Sequence, residues 1–317
     1  MSEALSYIFS FTFFASVLRV TTPILFATLG SVVAERAGTP NIALEAIMLF
    51  SALFGALGSG FTGSVLVGLL SALAAGLLIT FMLAFFALRL KADIILTGVA
   101  LNLLAVGGTV FIMFTLISDK GSTSSIATKV FPNLTIPGLS SVPVLGDLLC
   151  GHNVLTYLAF LAVVVVYFLL FRTRIGLRVR AVGENAGAAS SVGVNVLKTQ
   201  VIALLICGLL TSFGGVFMSM GYMNGFSQNM VAGRGFIALA AASMGRLHPV
   251  YGMIAALIFG AADAISNVMA ALRIPDEFVK MIPYLTTIVG LVIFSAMNKH
   301  RLGAGGKRLI KRGETAK

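Results

Sequence analysis

Charge is scarce in this 317-residue sequence: Asp, Glu, Lys and Arg make up 10% of it, where an ordinary soluble domain carries about 25%. That deficit, with 58% hydrophobic residues and a mean hydropathy of +1.02, excludes a soluble globular fold. Metal and nucleophile chemistry is scarce too. The three histidines, His152, His248 and His300, are scattered, and none has the H-E-x-x-H spacing of a zinc hydrolase. The two cysteines, Cys150 and Cys207, lie far apart in sequence and in expected depth, so neither a disulfide framework nor a thiol–metal site follows. No phosphate-binding loop is present. The segment "GAGGKR" at 303–308 lacks the first glycine and the hydroxyl of G-x-x-x-x-G-K-[ST]. With no nucleophile–base pair either, the chain reads as a non-enzyme that holds no metal or cofactor and does not itself hydrolyse ATP. The start, "MSEALSYIFSFTFF", has no basic n-region and no small-residue cleavage site after it. The first apolar run is therefore read as a retained helix.

What the sequence does have is long apolar runs. A helix needs about 20 residues to cross a bilayer, and nine runs of roughly that character occur. They cover 11–33, 42–60, 64–88, 94–117, 153–171, 198–220, 235–247, 250–271 and 278–297. The seventh is short and polar at its ends and reads as a half-helix. A tenth crossing or re-entrant piece is placed near Glu35–Asn41. The short alternating segments of an outer-membrane barrel are absent. The fold class is thus an all-α polytopic membrane protein of nine or ten transmembrane helices, with residues 1–317 as one transmembrane domain.

Net charge is +11, but the basic residues are clustered in a way that does not call for nucleic acid. Five of the 22 Lys and Arg fall in Arg172–Lys198 and seven in Lys299–Lys317, flanking spans as the positive-inside rule requires. With both clusters cytoplasmic, 16 basic residues face the cytoplasm and five face outward, Arg19 lying inside a span. This count puts the N-terminus outside. Ser118–His152, rich in Ser, Thr, Pro and Gly, becomes the longest external connection, and 298–317 a basic cytoplasmic tail. "NIALEAIMLF" (41–50) echoes "FIALAAASMG" (236–245), and the two enter from opposite sides, as in an inverted repeat.

Ionisable and amide side chains within spans are costly and mark function by default. Asn41 and Glu45 are four apart, as are Asp263 and Asn267, a spacing that puts each pair on one face of a helix. Asn102 stands alone in "LTGVALNLLAVGG", where helix–helix adhesion is the competing role. Glu45 and Asp263 each need a partner, a proton or a wet cavity; Arg36 and Asn102 are candidate partners for Glu45. "MNGFSQNMVAGRGF" (223–236) is a Gly- and Asn-rich break beside the half-helix, a kind of backbone tolerated at membrane depth where it is buried or lines a cavity. Asn41, Glu45, Asn102, Phe236, Asp263 and Asn267 are the expected substrate-pathway residues. Gly38 and Pro40 are expected to open the helix carrying Glu45.

"VVAERAGTPNIALEAIML" (32–49), "ADIILTGVALNLLA" (92–105), "RTRIGLRVRAVGENAGAASSVGVNV" (172–196), "GRGFIALAAASMGRLHPVYG" (233–252) and "IPYLTTIVGLVIF" (282–294) together resemble the permease subunits of ABC importers. The likeness runs in order from about residue 20 to 297 and is strongest to the simple-sugar and nucleoside branch, a relative of ribose- and branched-chain amino-acid permeases. "ERAGTPNIALE" and "RAVGENAGAA" look most like nucleoside permeases. The resemblance implies import of nucleosides across the plasma membrane of a bacterium. It implies a partner ATPase that binds ATP and magnesium, a second permease subunit, an extracellular solute-binding lipoprotein, and surrounding lipid. It also implies a cytoplasmic coupling helix. The family's E-A-A, three residues, then G is matched by Ala188, Ala189 and Gly193, with Gly187 in place of the acid and Glu184 displaced by three. Gly193 is suited to a left-handed cap, and Arg178 and Arg180 to lipid phosphate or ATPase carboxylates. Two other readings stand beside this one: a ribose- or galactose-type sugar permease, and a self-contained secondary transporter.

Overall fold

The computed structural model describes residues 11–134 and 151–271, together with Leu285 and Val292. The expected span 278–297, as a segment, and the basic tail 298–317 lie outside the described residues. Among the described residues ten α-helices follow one another: α1 Phe11–Arg36, α2 Leu44–Thr62, α3 Val65–Ala84, α4 Ile94–Ile117, α5 Val154–Arg172, α6 Arg174–Glu184, α7 Ala186–Ser191, α8 Val196–Phe217, α9 Arg234–Met244 and α10 Pro249–Ala271. Seven of these are long and apolar enough to cross a membrane. With almost no strand, the protein is an all-α polytopic membrane protein. α9, at 11 residues, is the expected half-helix.

Local chemistry sets the boundaries. Gly38, at φ +75°, closes α1 in a Schellman motif: its N–H bonds the Glu35 carbonyl and the Thr39 N–H bonds that of Ala34. The expectation that Gly38 opens the next helix is corrected, since the left-handed residue satisfies the carbonyls that end α1. The tenth crossing near Glu35–Asn41 is absent for the same reason; Ala37–Ala43 is a short connection between two spans. Asp93 accepts from the Ile95 and Leu96 amides to start α4, and Asn153 and Asn195 start α5 and α8 in the same way. π-turns at Phe85–Arg89 and Met218–Tyr222 extend α3 and α8.

α1 and α2 form the interior, and α8 packs against both. α3, α4 and α5 turn large apolar side chains outward, among them Phe81, Leu103, Phe111 and Phe168, as spans facing hydrocarbon do. Lipid is as apolar as leucine, so close backbone approach replaces the hydrophobic effect as the adhesive between helices. Gly215 of α8 packs so tightly that an added Cβ would overlap the Met48 carbonyl of α2. In the connection after α4, Thr123 exchanges hydrogen bonds of 2.9 Å with Phe226, and the Phe131 N–H donates to the Met220 carbonyl. A two-stranded hairpin pairs β1 Asn133–Leu134 with β2 His152–Asn153. Thr123 and Phe131 of that connection are thereby tied to the break leading to α9 and to the π-turn of α8.

Candidate functional site

Four of the six expected pathway residues, Asn41, Glu45, Asn102 and Asp263, gather around the place where the first turn of α2 meets the start of α9. Asn41 is fully buried. Its Oδ1 accepts from the Ala43 N–H at 3.0 Å, and its Nδ2 donates to Cys207 Sγ at 3.3 Å. α2 begins only at Leu44, so Asn41 precedes the helix in a local side-chain turn. The expected helical stacking of Asn41 on Glu45 is therefore corrected. Asn102 of α4 holds the same entry from the other side: Oδ1 accepts from the Ala46 N–H and Nδ2 donates to the Ile42 carbonyl, both at 2.9 Å. Both functional atoms of Asn102 are spent on the backbone at the entry of α2, on Ile42 before the helix and Ala46 within it, which is the adhesive role.

Glu45 reaches neither Arg36 nor Asn102. Its Oε1 accepts from the Gly233 N–H at 2.7 Å and its Oε2 from the Gly235 N–H at 2.9 Å, at the N-terminus of α9. A carboxylate there satisfies amides that have no partner inside the helix and meets the positive end of its dipole. The approach demands glycine, since a Cβ on Gly235 would lie 2.6 Å from the Glu45 amide nitrogen. Asp263 of α10 takes the next residue. Its Oδ2 accepts from Arg234 Nη2 at 2.7 Å and Nε at 3.1 Å. Two carboxylates from two different spans thus grip the start of the half-helix. The backbone leading into it is strained, with Asn224, Asn229 and Ala232 at φ +54°, +54° and +49°. Arg234 is a site residue that sequence reasoning missed; the signal available was that Asp263, in a span, needed a cation. Asn267 is exposed one turn along α10 and is not brought to this site, and Phe236 is 46% exposed.

The second constellation is the Arg-rich segment. α6 leaves α5 through Thr173, whose hydroxyl accepts from the Gly176 N–H. α7 starts at Asn185, whose side chain accepts from the Ala188 N–H at 2.9 Å. Gly193, at φ +82°, closes α7 in a second Schellman motif: its N–H bonds the Ser190 carbonyl and the Val194 N–H bonds that of Ala189. Ala189 is the buried residue of α7, while Glu184, Ala188 and Arg178 are exposed. Arg178, Gly193, Lys198 and Ile202 line a cavity of about 430 Å³ between α6 and α8. Arg180 is turned away from it, its guanidinium 5.1 Å from the Phe171 ring.

These two constellations are joined through the α1–α2 connection. A Cβ on Gly183 of α6 would overlap the Arg36 carbonyl. Arg36 Nε donates to the Leu247 carbonyl at 2.8 Å, in the turn between α9 and α10. Beside that turn His248 packs among Tyr167, Phe171 and Tyr251. Burial, and then the charge of Arg36, hold its imidazole below the ordinary value. Among the described residues no three His, Cys, Asp or Glu side chains gather as metal ligands would.

Residues 13–293 match the family described as branched-chain amino acid transport system / permease component. The chain is 37% identical over 288 residues to a guanosine ABC transporter permease protein of Bacillus subtilis, covering 87% of this chain and 90% of that one. It is 33% identical over 291 residues to a nucleoside ABC transporter permease protein of Lactococcus lactis, covering 88% and 91%. A putative glucose ABC transporter permease protein of Haloferax volcanii is 30% identical over 298 residues, covering 86% and 88%. Among solved structures, PsaBC from Streptococcus pneumoniae in complex with Fab superposes with a TM-score of 0.53 at 12% identity, covering 91% of this chain and 94% of that one. That likeness concerns the fold alone.

Proposed function

This chain belongs to the branched-chain amino acid transport system / permease component family, and from that premise we propose that it is the transmembrane permease subunit of an ABC importer that carries nucleosides. The observation that carries the reading is the join between the two constellations. A short helix, α7, stands exposed at the arginine-rich end of the bundle, and its neighbour α6 is pressed by Gly183 directly onto the connection that leads to Glu45. The arginine-rich end is cytoplasmic, and α7 is the coupling helix. Ala188 and Gly193 present a surface without bulk to a separate ATPase subunit, which binds ATP and magnesium. Arg178, exposed nearby, meets carboxylates of that subunit. The rest of the assembly is a second permease and an extracellular solute-binding lipoprotein.

The route of the motion follows the contacts. Closure of the ATPases displaces α7, and α6 moves with it. Gly183 drives the Arg36 carbonyl, the α1–α2 connection shifts, and the first turn of α2 carries Glu45. Because Glu45 holds the start of α9, the half-helix and its strained lead-in move as well. The permease supplies two conformations of similar free energy, and the nucleotide cycle biases them. The nucleoside reading is preferred over the sugar reading because the relatives named for nucleosides share 37% and 33% identity with the chain, against 30% for the one named for glucose. The test is uptake by the complete importer in proteoliposomes. Labelled nucleosides are expected to accumulate only with ATP inside. Accumulation of ribose or galactose in their place would establish the sugar reading, and nucleoside uptake without the ATPase would establish a secondary transporter.

A further inference from the structure

Two cations border the cavity of about 430 Å³ between α6 and α8, Arg178 from one helix and Lys198 from the other. No Asp or Glu is among the described residues that line it. Among the described residues neither cationic side chain has a hydrogen-bond or ion-pair partner. The volume falls within the range of about 300–1,000 Å³ usual for small-ligand sites. The other walls are largely apolar: Ile175 of α6, Val192 and Val194 of the turn before α8, and Ile202 of α8. Lys198 stands in the first turn of α8, at the start of the span Val196–Tyr222. Ile202 lies one turn deeper, about 6 Å further along the axis. The cavity thus runs from a charged mouth toward the hydrocarbon. α6 has the same mixed character. Its Gly176, Val179 and Val182 are buried and its Arg174 and Arg178 exposed, yet Ile175 and Leu177 are also 45% and 61% exposed. Apolar side chains left open beside arginines are what a helix lying in the headgroup region presents.

We infer that this cavity is a binding site for an anionic phospholipid of the cytoplasmic leaflet, with Arg178 and Lys198 holding the phosphate and Ile175 and Ile202 the start of an acyl chain. The inference rests on the reading that the arginine-rich end is cytoplasmic, the side on which basic pockets between spans take anionic headgroups. Charge sets the class of ligand. Two cations with no acid between them call for an anion, a phosphate or a carboxylate. Depth decides between the two. A carboxylate side chain of the ATPase answers the charged mouth and leaves Ile202 without an apolar neighbour, whereas a phospholipid brings the anion and the apolar chain in one molecule. Arg178 serves both partners. It lines the cavity and is exposed, and a guanidinium has five N–H donors in a planar fork, so a lipid phosphate on the cavity side leaves donors for the ATPase outside it. Lys198 belongs to the lipid alone. Gly193 and Val194, which close α7, also line the cavity, so the headgroup seats beside the cap of the coupling helix.

The test uses the complete importer in proteoliposomes that contain a phosphatidylglycerol with a photoreactive group in its acyl chain, close to the headgroup. Irradiation is expected to label the peptides carrying Ile175 and Ile202, and unlabelled phosphatidylglycerol is expected to compete where phosphatidylcholine does not. K198Q is expected to assemble with the ATPase at wild-type yield and to lower the labelling roughly fivefold, the worth of one basic residue at an anionic surface. K198R keeps the charge and should label as the wild type does. Equal competition by phosphatidylcholine, labelling of neither peptide, or wild-type labelling in K198Q overturns the inference. So does an equal loss in K198R, or failure of K198Q to assemble, since Lys198 would then act through packing. A carbodiimide cross-link from Lys198 to the ATPase overturns it as well and gives the cavity to that subunit. If K198C in intact cells reacts with a membrane-impermeant thiol reagent added outside, the orientation and the lipid site fall together. Transport is judged separately: nucleoside uptake by a complex that ignores phosphatidylglycerol sinks the lipid site alone, and specific labelling without uptake leaves the site standing.

Discussion

Replacing Gly183 with alanine tests the mechanical join between the coupling region and the bundle. The added Cβ would overlap the Arg36 carbonyl oxygen and lie 2.8 Å from its carbon and 3.3 Å from the Gly38 amide nitrogen. All three atoms are backbone, so no flexible side chain can yield. Restoring a carbon–carbon contact of about 3.5–4.0 Å needs a displacement of roughly 1 Å between α6 and the α1–α2 connection. Overpacking of this kind costs about 1–3 kcal/mol, and alanine returns only about 0.5–1 kcal/mol through its better helix propensity. The net penalty of about 0–2.5 kcal/mol, centred near 1 kcal/mol, falls on whichever conformation keeps the contact tight, and at its centre it changes the balance of the two states roughly 5-fold. The atoms that the added Cβ meets belong to Arg36 and Gly38 and not to α7, so capture of the ATPase should be unaffected. The quantity to measure is nucleoside molecules transported per ATP hydrolysed in proteoliposomes, beside Gly121→Ala, where the added Cβ meets nothing nearer than 3.7 Å. The expected result is a several-fold fall in that ratio for G183A and none for G121A. Wild-type stoichiometry and rate in G183A would refute the route through Arg36.

Three further outcomes are expected. Gly193→Val should weaken capture of the ATPase by the purified permease; within this chain the space around Gly193 is open, but its φ of +82° costs a β-branched residue at least about 1–2 kcal/mol, and unchanged capture would detach the α7 cap from docking. Asp263→Asn and Arg234→Gln should each lower the thermal stability of the assembled permease, because breaking a buried pair costs about 3–5 kcal/mol, and the double variant should lose less than the sum; strict additivity would show that the pair is not coupled. Glu45→Ala leaves two N–H groups at the start of α9 without their acceptor, at about 1–3 kcal/mol each, whereas Glu45→Gln keeps one acceptor, so the melting temperature should fall in the order wild type, Gln, Ala; an alanine variant as stable as wild type but unable to transport would place Glu45 on the pathway.

The spans were legible because one signal, apolar length, dominates them, and local capping residues fixed their ends. The run read as 94–117 is the helix Ile94–Ile117, and 153–171 is Val154–Arg172, each started by an Asp or Asn whose preference is local. The half-helix was legible from its length and polar ends. The site was legible only in part. That Glu45 and Asp263 needed partners followed from their depth. Which partners they have did not, because Gly233 and Gly235 lie 188 and 190 residues from Glu45 and are backbone donors that leave no mark in side-chain type. Gly183 was equally opaque, as a glycine at a close approach reads in sequence like any other glycine of a membrane helix. Asn41 was misplaced because four-residue spacing presumes a continuous helix, and the Gly38 cap breaks it.

The hydrogen bonds of the buried polar residues bear on where a transported molecule is met. An importer must release what it binds, so its pathway is served by groups whose bonding capacity is free at rest. Asn41 and Asn102 have theirs committed to neighbouring backbone or sulfur, Asp263 holds Arg234 through Oδ2, and Glu45 has both oxygens on the start of α9. For a substrate to use any of them, a bond that holds the entry of α2 or the start of α9 must first break, at about 1–3 kcal/mol for each buried group left without a partner. These residues therefore set the position of the half-helix, and under the proposed function contact with the solute would fall to side chains left exposed around it, such as Phe236 at its first turn and Tyr222 at the end of α8. On this division of labour, substitutions at Glu45 or Asp263 shift the balance between conformations for every solute alike.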